Sequence, residues 1–239
     1  MPVNNIDPVV DQREQTFNQG HVGPTEFIST KIENIGLIRT IMFDVDFKLI
    51  NPNGPFQKRN LSPKAYYEKY VSPWLSHHSV LSKAEVRCTG GGYHVLLNLD
   101  TPIRLATDEQ RKRWQGIVQV IQMVLPIDPQ QPGINAMTRP VGSINGKNSK
   151  TVTCLRQGSA VTENEIFSLY VSMKDRPFAT LMQIWFGAEK VVPCPLCCGE
   201  GTYLEVVGPR TGRCYGDCGK VKINDLFQKA LKITKSKGK

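Results

Sequence analysis

The stretch Met42-Phe43-Asp44-Val45-Asp46 places two carboxylates two positions apart inside an otherwise apolar run from Ile35 to Ile50. The run predicts a β-strand over residues 36–48. Because successive side chains of a strand alternate between its faces, Asp44 and Asp46 share one face. Two acids on one face repel each other unless a cation lies between them, and oxygen donors suit Mg²⁺ or Mn²⁺. The pattern fits either a strand that carries a divalent-metal site or a solvated strand face that happens to carry two acids, and the motif alone is too short to decide.

Length and composition set the class of protein. The chain has 239 residues, of which 40% are hydrophobic and 8% aromatic, enough to build the core of one large domain or two unequal ones. The first twenty residues are polar, and no apolar run approaches the roughly 20 residues of a membrane helix. We expect a soluble, cytoplasmic protein with no membrane partner, whose cysteines lie in a reducing compartment.

The charge distribution favours a polyanionic partner. The formal net charge is +9, and residues 220–239 hold seven lysines against one aspartate. A basic segment of this kind is typical of an arm or surface that contacts phosphates. The alternative is a tail that only increases solubility.

The remaining patterns predict mixed α+β layers. A helix is expected from Ser62-Pro63 to Pro73, where the second proline would interrupt it. Capping boxes at Thr107 with Gln110 and at Thr162 with Glu165 predict two more helices, the first ending at Pro126. The other predicted elements are a helix over 178–186, strands over 84–89 and 93–99 joined by a glycine turn, and a strand over 203–207.

Two further motifs carry chemistry. Gly90-Gly91-Gly92-Tyr93-His94 puts an imidazole directly after a backbone that can approach a ligand closely and cradle phosphates. Ile127-Asp128, followed by the run from Arg139 to Lys147, supplies a third carboxylate and then cationic and amide groups suited to a triphosphate. A structural histidine and an ordinary basic loop are the alternatives.

In this order the three motifs resemble the catalytic core of the archaeo-eukaryotic primase superfamily, in its primase-polymerase branch from phages, plasmids and mobile elements. The resemblance covers roughly residues 36–155. It implies a core of two α+β modules, one with a sheet like that of an RNA-recognition motif, and an active site in the cleft between them.

The resemblance also implies the role of each motif residue. Two catalytic Mg²⁺ or Mn²⁺ ions would be bound by three carboxylates, those of Asp44, Asp46 and Asp128. The incoming nucleotide would be bound by His94, Arg139, Asn145 and Lys147. One departure is that the family's second motif often reads Ser-x-His. Here Gly92 stands two positions before the histidine, and Thr89 is the nearest hydroxyl.

The activity so implied is that of a DNA primase or primase-polymerase. Such an enzyme makes short primers on a single-stranded DNA template from nucleoside triphosphates by two-metal-ion nucleotidyl transfer. We expect it to serve the replication of a phage, plasmid or other mobile element, in the cytoplasm of a bacterial host. No Walker motif is present, so a replicative helicase or origin-binding partner would be a separate protein.

Five of the seven cysteines fall within 25 residues, in Cys194-Pro195-Leu196-Cys197-Cys198 and Cys214-Tyr215-Gly216-Asp217-Cys218. Two close thiol pairs are typical of a tetrahedral structural zinc site with Cys194, Cys197, Cys214 and Cys218 as ligands. Cys198 could replace Cys197. The remaining two, Cys88 and Cys154, are expected in the core.

We therefore predict a catalytic domain over 1–190 and a zinc-ribbon module with a basic tail over 191–239. In related primases a small zinc module helps to grip the template or the 5′ end of the new primer. The candidate nucleic-acid contacts on this module are Arg210, Arg213, Lys220 and Lys222.

Two other classes of function compete. The chain could be a non-catalytic single-stranded nucleic-acid-binding replication protein, with a zinc ribbon on a degenerate core. It could also be a nucleotide-sugar transferase of the D-x-D type, although that activity needs neither a zinc ribbon nor a basic tail.

Overall fold

The computed structural model describes residues 31–51, 53–56, 61–127, 130–197 and 201–231. Its strands are β1 (Leu37–Asp46), β2 (Glu85–Cys88), β3 (Gly92–Arg104), β4 (Ile144–Asn145), β5 (Lys150–Thr151), β6 (Thr153–Arg156), β7 (Val191–Pro193), β8 (Tyr203–Gly208), β9 (Thr211–Cys214) and β10 (Lys220–Lys222). Its α-helices are α1 (Pro63–Tyr66), α2 (Ser72–Ser76), α3 (Asp108–Gln122), α4 (Glu163–Asp175), α5 (Pro177–Phe186) and α6 (Ile223–Ala230).

The main sheet has the order β1-β3-β2-β6, with every neighbouring pair antiparallel. A second four-stranded antiparallel sheet has the order β10-β9-β8-β7, and β4 with β5 forms a short hairpin. Mixed helices and antiparallel sheets confirm the predicted α+β class. The division into two catalytic modules with a cleft between them stays a prediction.

Strand β1 alternates as its sequence predicts. Phe43 and Val45 are fully buried, whereas Asp44 and Asp46 on the opposite face are half-buried. The buried face continues into Phe47, directly after β1, whose ring centroid lies 5.0 Å from that of Tyr66. Strand β1 is therefore anchored on one side and presents both acids on the other.

The predicted hairpin between β2 and β3 is confirmed, and its turn is tight. Thr89 donates its backbone N–H to the carbonyl of Gly92 at 3.0 Å, which leaves Gly90 and Gly91 as the two central residues. Only the first of these has a positive φ, +80° at Gly90, and this is the pattern of a type II′ turn. The two-residue turn fixes the register of every pair along the hairpin.

The helix predicted to stop at Pro73 continues to Ser76, so that prediction was wrong. Between α1 and α2 the backbone forms a π-helical segment over Tyr67–Val71, and Ser72 donates to the carbonyl of Tyr67, five residues back. The wider π-helical turn relieves the clash between the Pro73 ring and the preceding carbonyls. Because proline lacks a backbone N–H, only one helical hydrogen bond is lost. The chain therefore remains helical through the proline.

The two predicted capping boxes are confirmed. Thr107 and Gln110 cap helix α3, and Thr162 and Glu165 cap helix α4, with both reciprocal hydrogen bonds present in each box. Helix α3 ends at Gln122, four residues before Pro126. The predicted helix over 178–186 and strand over 203–207 are also present, each one residue longer.

The second sheet shares one hydrophobic cluster with the main sheet. Phe178 on α5 donates its N–H to the carbonyl of Pro209, and the Trp185 ring lies 5.8 Å from the Phe227 ring. The predicted boundary at residues 190 and 191 falls directly before β7 and stays a prediction.

Part of the segment predicted to be a basic arm or surface is folded. Residues 220–230 form strand β10 and helix α6, whose buried positions include Ile223 and Leu226. Three of the seven lysines thus lie on folded elements, and residues 232–239 lie outside the described residues.

Within the described ranges, no helix has the length and apolar character needed to cross a membrane.

Candidate functional site

Three polar residues form one row across the main sheet. Asp44 on β1 lies opposite His94 on β3, which in turn lies opposite Arg87 on β2. Cross-strand partners point to the same face, so the three side chains are neighbours. The first two motifs found in the sequence therefore meet, together with an arginine that sequence reasoning did not select.

The direction of the backbone groups shows how closely Asp44 and His94 pair. The carbonyl of Met42 and the N–H of Asp44 both bond outward, to the side chain of Gln131. Asp44 and His94 are consequently a non-hydrogen-bonded antiparallel pair, the class in which side chains lie closer together, with Cα atoms about 4.5 Å apart. The carboxylate and the imidazole thus have the tighter of the two possible spacings.

Asp46 lies opposite Gly92, where the two strands approach very closely. A Cβ at Gly92 would lie 2.1 Å from the carbonyl oxygen of Val45, which no side chain tolerates. This close approach accounts for a glycine at position 92. One carboxylate oxygen of Asp46, Oδ1, accepts the Lys48 N–H at 2.7 Å and so holds the end of β1 in a turn.

His94 is 3% exposed and is held by the loop that follows helix α3. Its Nδ1 lies 3.0 Å from Thr138 Oγ1 and accepts the backbone N–H of Arg139 at 3.5 Å. Since a backbone N–H can only donate, Nδ1 carries no proton and the neutral ring is protonated at Nε2. Thr138, and not Thr89, is the hydroxyl at this histidine; Thr89 Oγ1 bonds within the glycine turn, to the Gly92 carbonyl.

The same surroundings keep His94 neutral. Burial is the largest cause, and the positive charges of Arg139 and Arg87 add to it, lowering the pKa of His94 to about 4. At neutral pH the imidazole is therefore a hydrogen-bonding group and not a cation. The positive charge of the row comes from the arginines.

Arg87 joins the sheet to the loop of the third motif. Its Nη1 donates to the carbonyl oxygen of Arg139 at 3.0 Å, and its Nε donates to Glu85 Oε1 at 2.5 Å. Glu85 also accepts from Asn98 at 3.0 Å, and Asn98 accepts from Thr40 at 2.8 Å. A continuous polar network thus crosses from β1 to the loop.

The loop residues selected from the sequence occupy three different positions. Asn145 is buried and donates from its side chain to the Thr89 carbonyl at 2.8 Å, which ties the β4–β5 hairpin to the glycine turn. Its Oδ1 accepts the Lys147 N–H at 3.1 Å. Arg139 is half-buried beside His94, whereas the Lys147 side chain is exposed. Asn145 therefore holds the β4–β5 hairpin against the glycine turn.

The fit of the carboxylates to Mg²⁺ or Mn²⁺ depends on donor type. Asp44 and Asp46 share one face of β1 and supply the oxygen donors that these ions prefer. Asp128, the third predicted ligand, lies outside the described residues. Among the residues that the structure describes, the acids and histidine of this row form no group of three or more ligand atoms; the cysteines do.

The four predicted cysteines converge on one point. The Sγ atoms of Cys194, Cys197, Cys214 and Cys218 all lie within 4.8 Å of one another. The Cys194–Cys218 and Cys197–Cys214 sulfur distances are 4.0 and 3.7 Å. A tetrahedral centre with metal–sulfur bonds of about 2.3 Å requires sulfur atoms about 3.8 Å apart. The cluster can therefore hold a metal ion such as zinc, and Cys198 lies outside the described residues.

Backbone groups hold the thiols in place. The N–H of Gly216 donates to Cys214 Sγ at 3.2 Å, and Cys194 donates its own N–H to the Thr202 carbonyl at 3.0 Å. Burial raises the pKa of the Cys218 and Cys194 thiols, and neighbouring sulfur atoms raise the pKa of Cys218 further. A bound cation would reverse this effect, because it stabilises thiolates. Of the two predicted core cysteines, Cys88 is buried and Cys154 only half-buried.

The second sheet has one exposed, basic face, which we call the ribbon face. It carries Tyr203, Glu205, Arg213, Tyr215, Lys220 and Lys222. Arg213 lies opposite both Glu205 and Lys220 in the strand register. Tyr203 and Tyr215 are 52% and 64% exposed, an uncommon state for two aromatic residues beside each other. Arg210, also exposed, lies in the turn between β8 and β9.

Sequence reasoning missed Arg87 and Gln131. The signal for Arg87 was present, because a two-residue turn at Gly90-Gly91 pairs residue 89 with 92 and therefore residue 87 with His94. Gln131 had no such signal, since its contact joins positions 87 residues apart.

Comparisons with protein-family models, with curated proteins and with solved structures find no match to this chain.

Proposed function

We propose that this protein is a DNA primase or primase-polymerase that synthesises short primers on single-stranded DNA. The observation that carries the proposal is the row of Asp44, His94 and Arg87, to which the Arg139 loop is hydrogen-bonded. Asp44 and His94, 50 residues apart in the chain, thus share one sheet face, and Arg139, 45 residues after His94, belongs to the loop bonded to it. Carboxylates beside arginines and a neutral histidine suit a triphosphate bound through metal ions.

Each residue of this chain then has a defined task. Asp44, Asp46 and Asp128 would hold two Mg²⁺ or Mn²⁺ ions, which when bound activate a 3′-hydroxyl and neutralise charge on the leaving pyrophosphate. His94 donates from Nε2 to a phosphate oxygen, because its Nδ1 is already an acceptor. Arg139 and Lys147 offset the charge of the triphosphate, while Asn145 keeps their loop against the glycine turn.

The second sheet supports a nucleic-acid partner. The basic residues Arg213, Lys220 and Lys222 lie beside two exposed tyrosines on the ribbon face, and phosphate contacts combined with base stacking are how proteins bind single strands. A structural zinc in the four-cysteine cluster would hold the loops between these strands. The proposed template path therefore includes the ribbon face.

The test is synthesis without a primer. Purified protein is incubated with single-stranded DNA, Mg²⁺ or Mn²⁺, and labelled ribonucleotides or deoxyribonucleotides. We expect products from the wild type, and a loss of about a thousandfold in Asp44→Asn and Asp46→Asn, because each removes charge stabilisation in the transition state. Asp175→Asn, at the exposed end of α4, is the matched control and should retain full activity.

Two results would contradict the proposal. The first is near-normal synthesis by Asp44→Asn in a folded sample. The second is no incorporation by the wild type under any combination of metal and nucleotide. In the second case the ribbon face favours the other candidate function, a non-catalytic single-stranded nucleic-acid-binding replication protein, which predicts metal-independent binding of single-stranded DNA.

A further inference from the structure

Gln131 completes the open edge of strand β1. Since β1 is an edge strand, the Met42 carbonyl and the Asp44 N–H point away from the main sheet. The Gln131 side chain satisfies both: Oε1 accepts the Asp44 N–H at 2.7 Å, and Nε2 donates to the Met42 carbonyl at 2.6 Å. One carboxamide thus replaces a short piece of neighbouring strand.

A carboxamide is the side-chain group that matches this edge. It presents one acceptor and two donors, whereas a carboxylate presents only acceptors and would face the Met42 carbonyl with a second oxygen. A methionine of similar length and shape would make neither bond. The chemistry of the edge therefore specifies glutamine.

Two more glutamines fix the segment that carries Gln131. Gln122 donates to the carbonyls of both Met42 and Pro132, at 2.9 and 3.1 Å. Gln115, two turns earlier on α3, accepts the Ile134 N–H at 2.9 Å. Residues 131–134 are therefore bound between helix α3 and the edge of β1.

The chain then continues to the other end of the row. Seven residues after Gln131, Thr138 contacts His94, and the Arg139 carbonyl accepts from Arg87. A single segment, 131–139, thus contacts all three strands at the row of Asp44, His94 and Arg87. Its first contact is made to the backbone of Asp44 itself.

We propose that Gln131 is a positioning residue, which fixes the backbone of Asp44 and thereby directs its carboxylate toward the site shared with His94. The metal-binding part of this inference rests on the proposed function; the fixing of the Asp44 backbone does not. If Gln131 had a merely structural role, its replacement would lower the free energy of unfolding but leave the metal affinity of the folded protein unchanged.

The first measurement is hydrogen exchange of single amides by NMR in the full chain. In Gln131→Met we expect the Asp44 amide to exchange roughly fivefold to tenfold faster, because it loses its acceptor. The amides of Phe43 and Val45 point toward β3 and are internal references. Gln115→Met, which loses a bond to the same segment but not to β1, is the matched control and should leave the Asp44 amide unchanged.

The second measurement is a Mn²⁺ titration followed by paramagnetic broadening of the Asp44 and Asp46 backbone signals, with no nucleotide and no turnover. We expect the Mn²⁺ midpoint of Gln131→Met to rise tenfold or more, the usual effect of losing a group that orients a metal ligand. In the primer-synthesis assay the same variant should need more Mg²⁺, with the KM for nucleotide unchanged at saturating metal.

The outcomes separate the two proposals. If wild-type protein binds Mn²⁺ at Asp44 but makes no product, nucleotidyl transfer is wrong, whereas a shifted midpoint in Gln131→Met still supports the positioning role. An unchanged Asp44 amide or an unchanged Mn²⁺ midpoint in Gln131→Met overturns that role, even in an active enzyme. Absence of Mn²⁺ broadening at wild-type Asp44 overturns it as well.

Discussion

Arg87 and His94 lie directly opposite each other on adjacent strands, and the charge of the arginine helps to keep the histidine neutral. A buried imidazole between two arginines is an unusual arrangement for a residue that only fills space. Burial and the two arginine charges together hold the pKa of His94 well below its ordinary value.

We predict that His94 makes folding stability fall in mild acid. Its pKa is about 4 in the folded protein against 6.5 as its ordinary value, so the unfolded chain binds more protons between these limits. The stabilisation is complete above about pH 6.5 and decreases as pH falls toward 4, by on the order of 3 kcal/mol in all. Denaturant unfolding of wild type and His94→Gln across pH 4–7 measures it. Identical slopes for the two proteins would contradict the prediction.

We predict that Gly92→Ala destabilises the protein, whereas Gly91→Ala is tolerated. A Cβ at Gly92 would lie 2.1 Å from the Val45 carbonyl, but a Cβ at Gly91 meets only the Asn148 side chain at 3.6 Å. Forcing β1 and β3 apart should cost about 1–3 kcal/mol and displace Asp46. Thermal unfolding of both variants checks the difference, and equal melting temperatures would show that the close approach is absent in solution.

We predict one zinc ion per chain, lost in Cys214→Ser. Removing one of the four sulfur ligands leaves the tetrahedral site incomplete, and the remaining three bind the ion too weakly to retain it. Metal analysis of the purified protein gives the stoichiometry, and chelation should lower the melting temperature of the wild type. Cys154→Ser, outside the cluster, is the control and should keep its metal. Full zinc content in Cys214→Ser would exclude the four-sulfur site.

We predict that Tyr203→Ala and Tyr215→Ala weaken binding of single-stranded DNA, each by about 1–3 kcal/mol if a base stacks on the ring. Lys220→Ala should weaken binding less and reduce the salt dependence of the affinity, because it removes one phosphate contact. Fluorescence anisotropy at several salt concentrations measures both effects. Lys174→Ala, exposed on α4, is the charge-matched control, and an effect as large there would locate binding away from the ribbon face.

Much of the fold was predictable because its determinants are local. The capping boxes at Thr107 and Thr162 involve residues three apart, and the glycine turn at Gly90 needs only a positive φ. The predicted helix end at Pro73 was wrong, and the reason is also local. A π-helical segment tolerates the proline ring, and nothing in the residue pattern distinguishes it from an α-helix.

Residue spacing was enough to predict the alternation that puts Asp44 and Asp46 on one face, the tight turn before His94 and the two cysteine pairs, because each depends on only a few consecutive residues. The folded chain was needed to reveal that Asp44 lies opposite His94, that Gln131 closes the edge beside it, and that the four thiols meet. Those relationships join positions between 17 and 89 residues apart, and such contacts depend on how whole strands pair and pack.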